Sequence, residues 1–136
     1  MLIGIGTDIV EIERVAEMLE EHGDAFLERI FTSAEIAESK QRSTPAIYLA
    51  GRWALKEALS KALGCGFGAK CSWRDIETTN LENGKPVTTL SGTAAKTAAE
   101  LNAAPPVVSI SHERHYACAT VAIERLDVVS SSSKPK

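Results

Sequence analysis

Aromatic residues are scarce in this chain, at 5% of 136 positions. A core must therefore come from aliphatic side chains and alanine, within a hydrophobic content of 44%. No apolar run reaches the roughly 20 residues that a membrane-spanning helix needs. The opening MLIGIG has neither the basic lead nor the cleavage pattern of a secretory signal. No membrane association is expected. Cysteines number three, Cys65, Cys71 and Cys118. That odd count, at spacings matching no metal site, points to reduced thiols and a cytoplasmic location. Positive charge is also lacking: the net charge is −3, where general nucleic-acid binding requires a basic surface. No repeat of solenoid period is present. The length suits one domain and is too short for two independent cores.

What the chain does have is a well-punctuated stretch, Thr44–Gly64, TPAIYLAGRWALKEALSKALG. Pro45 occupies a first helical position, Ser43 and Thr44 precede it as caps, and Gly64 stands where a helix ends. At 100° per residue, Tyr48, Leu55, Ala58, Leu59 and Ala62 share a broad core face. Glu57 and Lys61 sit together at its edge, flanked by Ala50, Trp53, Ala54 and Gly64. Their spacing alone fits an ordinary surface ion pair worth about 0.2–0.5 kcal/mol. A site is the sharper alternative.

Ahead of this helix, Leu2–Gly6 reads as a strand with Ile3, Ile5, Thr7 and Ile9 on one face. Gly4, Gly6 and Asp8 form the other. Glycines in a strand admit the close approach of a ligand or another backbone, and Asp8 either caps the next helix or faces that approach. A helix over 11–22 ends at Gly23, with an acidic outer face relieved only by Arg14. Phe26–Phe31 is a short helical segment, and Thr32 with Glu35 forms a capping box for a helix to Ser39. The loop Lys40–Ser43 is basic, and Gly64, Gly66 and Gly68 make a flexible loop that matches no phosphate-binding fingerprint. Strands at Ile76–Asn80 and Pro86–Leu90 flank Asn83-Gly84. Ser91 or Gly92 caps a helix over 93–102, and Val107–Ser111 with Tyr116–Ile123 forms a second hairpin turning at His112–His115. His22 and His115 read as surface residues. The order predicts an α+β fold: a largely antiparallel sheet packed with one long and several shorter helices. Residues 1–126 are expected to form a single domain, and 127–136 a polar, mobile tail.

Three separated segments, GIGTDIVEIER, RWALKEALSKALG and SISHERHYACA, resemble the holo-[acyl-carrier-protein] synthases, the small bacterial-type branch of the phosphopantetheinyl transferases. FLERIFTSAE and NGKPVTTLSG resemble that family's linking segments, so the likeness runs from Met1 to about Glu124. It implies transfer of phosphopantetheine from coenzyme A to a serine of an acyl carrier protein, with release of adenosine 3′,5′-bisphosphate. It further implies a divalent metal, Mg2+ or Mn2+ in its place, and a homotrimer with sites in clefts between subunits. By the same resemblance Asp8 and Glu57 are metal ligands and, with Lys61, the catalytic set. Lys61 contacts the coenzyme A phosphates, and Arg42, Arg52, Gly64 and His112 lie toward the nucleotide. Magnesium takes hard oxygen ligands, commonly one or two carboxylates completed by phosphates and water. The serine proton has two candidate acceptors, Glu57 and a water on the metal. Arg14 is the expected contact for the acidic carrier protein, with Arg29 and the Lys40/Arg42 loop as further contributors. Glu20, Glu21 and Asp24 depart from the basic first helix that the family often presents. Two rivals remain: a non-catalytic oligomeric module binding an acidic ligand, and a magnesium-dependent pyrophosphate hydrolase.

Overall fold

A computed structural model describes residues 1–127, and its elements run β1 (Leu2–Glu11), α1 (Ile12–Ile30), α2 (Ser33–Lys40), α3 (Pro45–Leu63), a 3-10 turn (Trp73–Asp75), β2 (Ile76–Asn80), β3 (Pro86–Leu90), α4 (Gly92–Glu100), β4 (Val107–His112) and β5 (Tyr116–Glu124). The fold is α+β, as the sequence predicts. Apart from Asp127, the expected tail lies outside the described residues. Among them, no helix is long and apolar enough to cross a membrane.

The organising element is α3. Pro45 opens it, and Gly64 closes it in the left-handed conformation (φ 78°) while its N–H bonds the carbonyls of Ser60 and Lys61. All five residues of the predicted core face are buried. Burial extends beyond that face to Arg52, Lys56 and Ser60, because the helix is covered on several sides.

One side of α3 lies on a three-stranded antiparallel sheet of order β1-β5-β4. The strand glycines make this possible. A methyl group at Gly4 would stand 2.1 Å from the Ala62 carbonyl oxygen, and one at Gly6 1.9 Å from that of Ala58. The close approach anticipated at these glycines is thus that of the α3 backbone. Packed into this contact are Leu55, Leu59, Ala119, Val121 and Ile123. A second cluster joins α1 to the first half of α3 through Val15, Phe26, Leu27, Ile30, Phe31 and Leu49.

Three local expectations change. β1 continues beyond Gly6 to Glu11, because β5 pairs with it residue by residue as far as Glu11 opposite Tyr116. Asp8 is therefore a strand residue, and Glu11, not Asp8, precedes α1. The two predicted helical segments before Thr32 are one helix kinked at Gly23 (φ 52°, ψ −126°), a conformation that glycine adopts without steric penalty. The Thr32/Glu35 capping box is present, but Ser91 makes no side-chain cap on α4. Asp75, from the 3-10 turn, does that work by accepting from the Thr93 hydroxyl at 2.6 Å and the Ala94 N–H at 3.0 Å.

The outer face of the sheet is left uncovered in the single chain. Ile5, Ala122 and Val107 form one row across it, and Ile9, Cys118 and Ser111 another. Ile5, Ile9 and Val107 are each 64–65% exposed.

Candidate active site

The alternation of β1 turns Asp8 to the same side as Gly4 and Gly6, toward α3. Because those glycines bring α3 close, residues 57 and 61, on successive helical turns, meet the strand. Lys61 Nζ donates to Asp8 Oδ1 at 3.1 Å and to the Thr7 carbonyl oxygen at 3.0 Å. The lysine thus pairs across elements with Asp8, whereas the i,i+4 reading paired it with Glu57. Asp8 and Glu57 line one pocket of about 170 Å³ together with Arg14 and Trp53. Burial, and then the charge of Asp8, hold the Glu57 carboxyl above the usual carboxylate range. With Glu11, three carboxylates line this small pocket, and a cation relieves their repulsion. No thiol or imidazole lines it. This hard-oxygen donor set suits magnesium or manganese and leaves the remaining positions to substrate oxygens. Among the described residues, no group of three or more His, Cys, Asp or Glu side chains that could hold a metal ion occurs.

Arg42, Arg52 and His112 meet elsewhere, in a pocket of about 400 Å³ also lined by Tyr48, Asn80 and Ile110. Gly51 shapes its floor: a methyl group there would come within 2.9 Å of Ile110 Cγ2. Arg52 is 7% exposed and donates through Nη2 to Asn80 Oδ1 at 2.7 Å. Its Nε is buried without an acceptor. His112, the last residue of β4, lies at the sheet edge opposite β1. Gly64 lines neither of these two pockets. It lines a third depression with Lys61 and Arg125.

The expected site residues therefore fall into two half-sites that share no pocket residue. Asp8, Glu57 and Lys61 occupy the β1 edge; Arg42, Arg52 and His112 occupy the β4 edge. One chain does not bring the two halves together.

Arg14 faces both the carboxylate pocket and a neighbouring groove of about 440 Å³, whose walls include Met18, Phe26, Arg29, Trp53 and Trp73. Arg29 thus joins Arg14, whereas Lys40 and Arg42 line other surfaces. Glu20, Glu21 and Asp24 are not among the groove's lining residues.

Sequence reasoning missed the supporting residues. Lys56, beside Glu57, forms a fully buried ion pair with Glu35 at 2.9 Å and also donates to the carbonyls of Trp73 and Ile76. Glu35 in turn accepts from the N–H groups of Thr32 and Thr78. The available signal is a lysine set between Trp53 and Leu59, three residues away on either side along the helix. Tyr48 was read only as core, and Asn80 only as a strand end.

A long helix lying on an antiparallel sheet is a fold that known proteins share. The family model described as the 4′-phosphopantetheinyl transferase superfamily matches residues 4–121. The holo-[acyl-carrier-protein] synthase of Protochlamydia amoebophila is 46% identical over 120 residues, covering 88% of this chain and 95% of that one. The crystal structure of the Neisseria meningitidis holo-[acyl-carrier-protein] synthase superposes with a TM-score of 0.86 at 36% identity, covering 92% of this chain and all of the other. The Helicobacter pylori holo-[acyl-carrier-protein] synthase, solved in complex with coenzyme A, gives 0.78 at 34% identity, with 88% and 99% covered. The chain belongs to the 4′-phosphopantetheinyl transferase superfamily, in its holo-[acyl-carrier-protein] synthase family.

Proposed function

We propose that this chain transfers the phosphopantetheine group of coenzyme A to a serine of an apo acyl carrier protein and releases adenosine 3′,5′-bisphosphate. The observation that carries the reading is the convergence of Asp8, Glu57 and Lys61 from a strand and a helix far apart in sequence. Asp8 and Glu57 would hold Mg2+ (or Mn2+), which supplies positive charge for the pyrophosphate oxygens when bound. Lys61, a point charge on a flexible stem, leaves Asp8 for the oxygens of the leaving bisphosphate. As the serine oxygen bonds to the phosphorus that carries pantetheine, the bond from that phosphorus to the oxygen bridging to the nucleotide breaks. Electrostatic positioning of this kind does most of the work in phosphoryl transfer. The serine proton would pass to a Glu57 carboxylate oxygen or to a water.

The two half-sites become one when neighbouring copies adjoin, the β1 edge of one meeting the β4 edge of the next. The uncovered face that carries Ile5, Ile9 and Val107 supports that assembly, which we read as a homotrimer. The carrier protein then docks at Arg14 and Arg29, over the apolar groove beside the carboxylates, with charge chiefly setting encounter rate. Residues 1–126 act as a single domain. The free thiols of Cys65, Cys71 and Cys118 fit a cytoplasmic setting.

The test is direct. The protein is incubated with coenzyme A, Mg2+ and an apo carrier protein, and the carrier is weighed. A phosphopantetheine-sized gain that Asp8→Ala abolishes is expected. Release of the bisphosphate without any carrier would favour a hydrolase instead.

A further inference from the structure

The arginine pocket contains an arrangement that the transfer reaction does not by itself explain. Tyr48 and Arg52 stand one helical turn apart on α3, and the Arg52 guanidinium carbon lies 4.3 Å from the centre of the Tyr48 ring. Arg42, arriving from the loop before the helix, places its own guanidinium carbon 4.7 Å from the same ring centre. Two permanent cations thus rest against one aromatic ring, although like charges at such spacing repel. No carboxylate lines the pocket. Arg42 is countered only by Glu38, outside it, through Nε at 2.7 Å. Arg52 donates to the neutral Asn80, and among the described residues its buried Nε–H has no acceptor. A buried donor left unmade is expensive. Such a site suits an anion.

We propose that Tyr48 is a positioning residue, its ring holding Arg42 and Arg52 together as a two-guanidinium clamp for a phosphate monoester, with Asn80 fixing the roll of Arg52. The negative face of the ring offsets part of the repulsion between the cations before the ligand arrives. Guanidinium groups suit a phosphate because their donors form a planar fork. The proposal rests on the reading of this pocket as the nucleotide site. The phosphate monoester on coenzyme A is then the 3′-phosphate, and Tyr48 contributes to the choice of coenzyme A over its dephospho form.

The experiment compares steady-state kinetics with coenzyme A and dephospho-coenzyme A for the full chain and for Tyr48→Phe, Tyr48→Leu and Asn80→Ala. The wild type is expected to prefer coenzyme A. Tyr48→Leu should shrink that preference in kcat/KM by about tenfold through KM for coenzyme A, matching a cation–π contribution in a desolvated pocket. Tyr48→Phe, which keeps the ring, should restore most of the preference. Asn80→Ala, at an exposed strand end, should shrink it by about threefold. Calorimetric titration with adenosine 3′,5′-bisphosphate against adenosine 5′-phosphate should give the same ordering. A Tyr48→Leu protein that loses kcat equally with both donors, or keeps the wild-type preference, overturns the clamp while leaving the transferase reading intact. A wild type that turns over neither donor overturns both.

Discussion

The two half-sites differ in how far each is finished within one chain. At the β1 edge, Lys61 pairs with Asp8, and Glu57 shares the adjoining pocket with Arg14. At the β4 edge, two cations share an aromatic ring and a buried donor waits for an acceptor. Both halves take residues from α3, yet they look toward opposite edges of the same sheet. Under the proposed transfer, the first half serves chemistry on a pyrophosphate and the second captures an anion. Under the proposed reading a second copy of the chain completes each site, which would link catalysis to assembly.

The largest effect that separates the halves should come from Glu57→Ala or Asp8→Ala. Either change should lower kcat by at least about 10²- to 10³-fold, the range seen when a transition-state charge stabiliser is removed. Affinity for adenosine 3′,5′-bisphosphate, measured by calorimetry, should change far less. Arg52→Ala should do the reverse, acting mainly on KM for coenzyme A.

The scaffold between the halves comes next. Lys56→Met strands the Glu35 carboxylate in a site that is 1% exposed and removes the donor to the Trp73 and Ile76 carbonyls. Breaking a buried pair in this way costs about 3–5 kcal/mol, a large share of a domain's stability. Urea unfolding should register the loss, and adding Glu35→Gln should recover part of it.

A smaller effect tests the docking face. Arg14→Glu should reduce kcat/KM for the carrier protein by about tenfold at low salt, with the deficit shrinking as salt rises. The Lys40 surface should show no comparable response.

Asp75→Asn should have the smallest effect and touch neither half. Burial pushes the Asp75 carboxyl up, but hydrogen bonds from the Thr93 hydroxyl and the N–H groups of Ala94, Ser72 and Thr93 outweigh it and hold the group below the usual range. A carboxyl lowered on folding contributes stability that is full above its unfolded value, near pH 4, and is lost as pH falls through the folded one. The variant should therefore lose about 1 kcal/mol near neutral pH. That deficit should disappear in acid.

These contrasts also mark where reading the chain alone succeeds. Signals that act within a turn or two were legible: Pro45 and Gly64 bounding α3, the Thr32/Glu35 box, and the two hairpins. The strand glycines announced a close approach, and the structure supplies its identity in the α3 backbone. What escaped depends on partners far away in sequence. β1 outran its predicted end because β5, over a hundred residues on, keeps pairing with it. Asp75 caps α4 from another element, and Lys56 is burdened by a glutamate on α2. Family resemblance pointed to Asp8, Glu57, Arg52 and His112. Spacing could not tell that they would divide between opposite edges.

That division can be tested by mixing. Glu57→Ala and Arg52→Ala chains are each assayed alone at limiting coenzyme A, then co-assembled by refolding together in equal amounts. If every site joins the β1 edge of one copy to the β4 edge of another, random assortment makes about a quarter of the sites fully wild type, and activity returns toward that level. A mixture no more active than the mean of the two separate variants would contradict a site shared between copies.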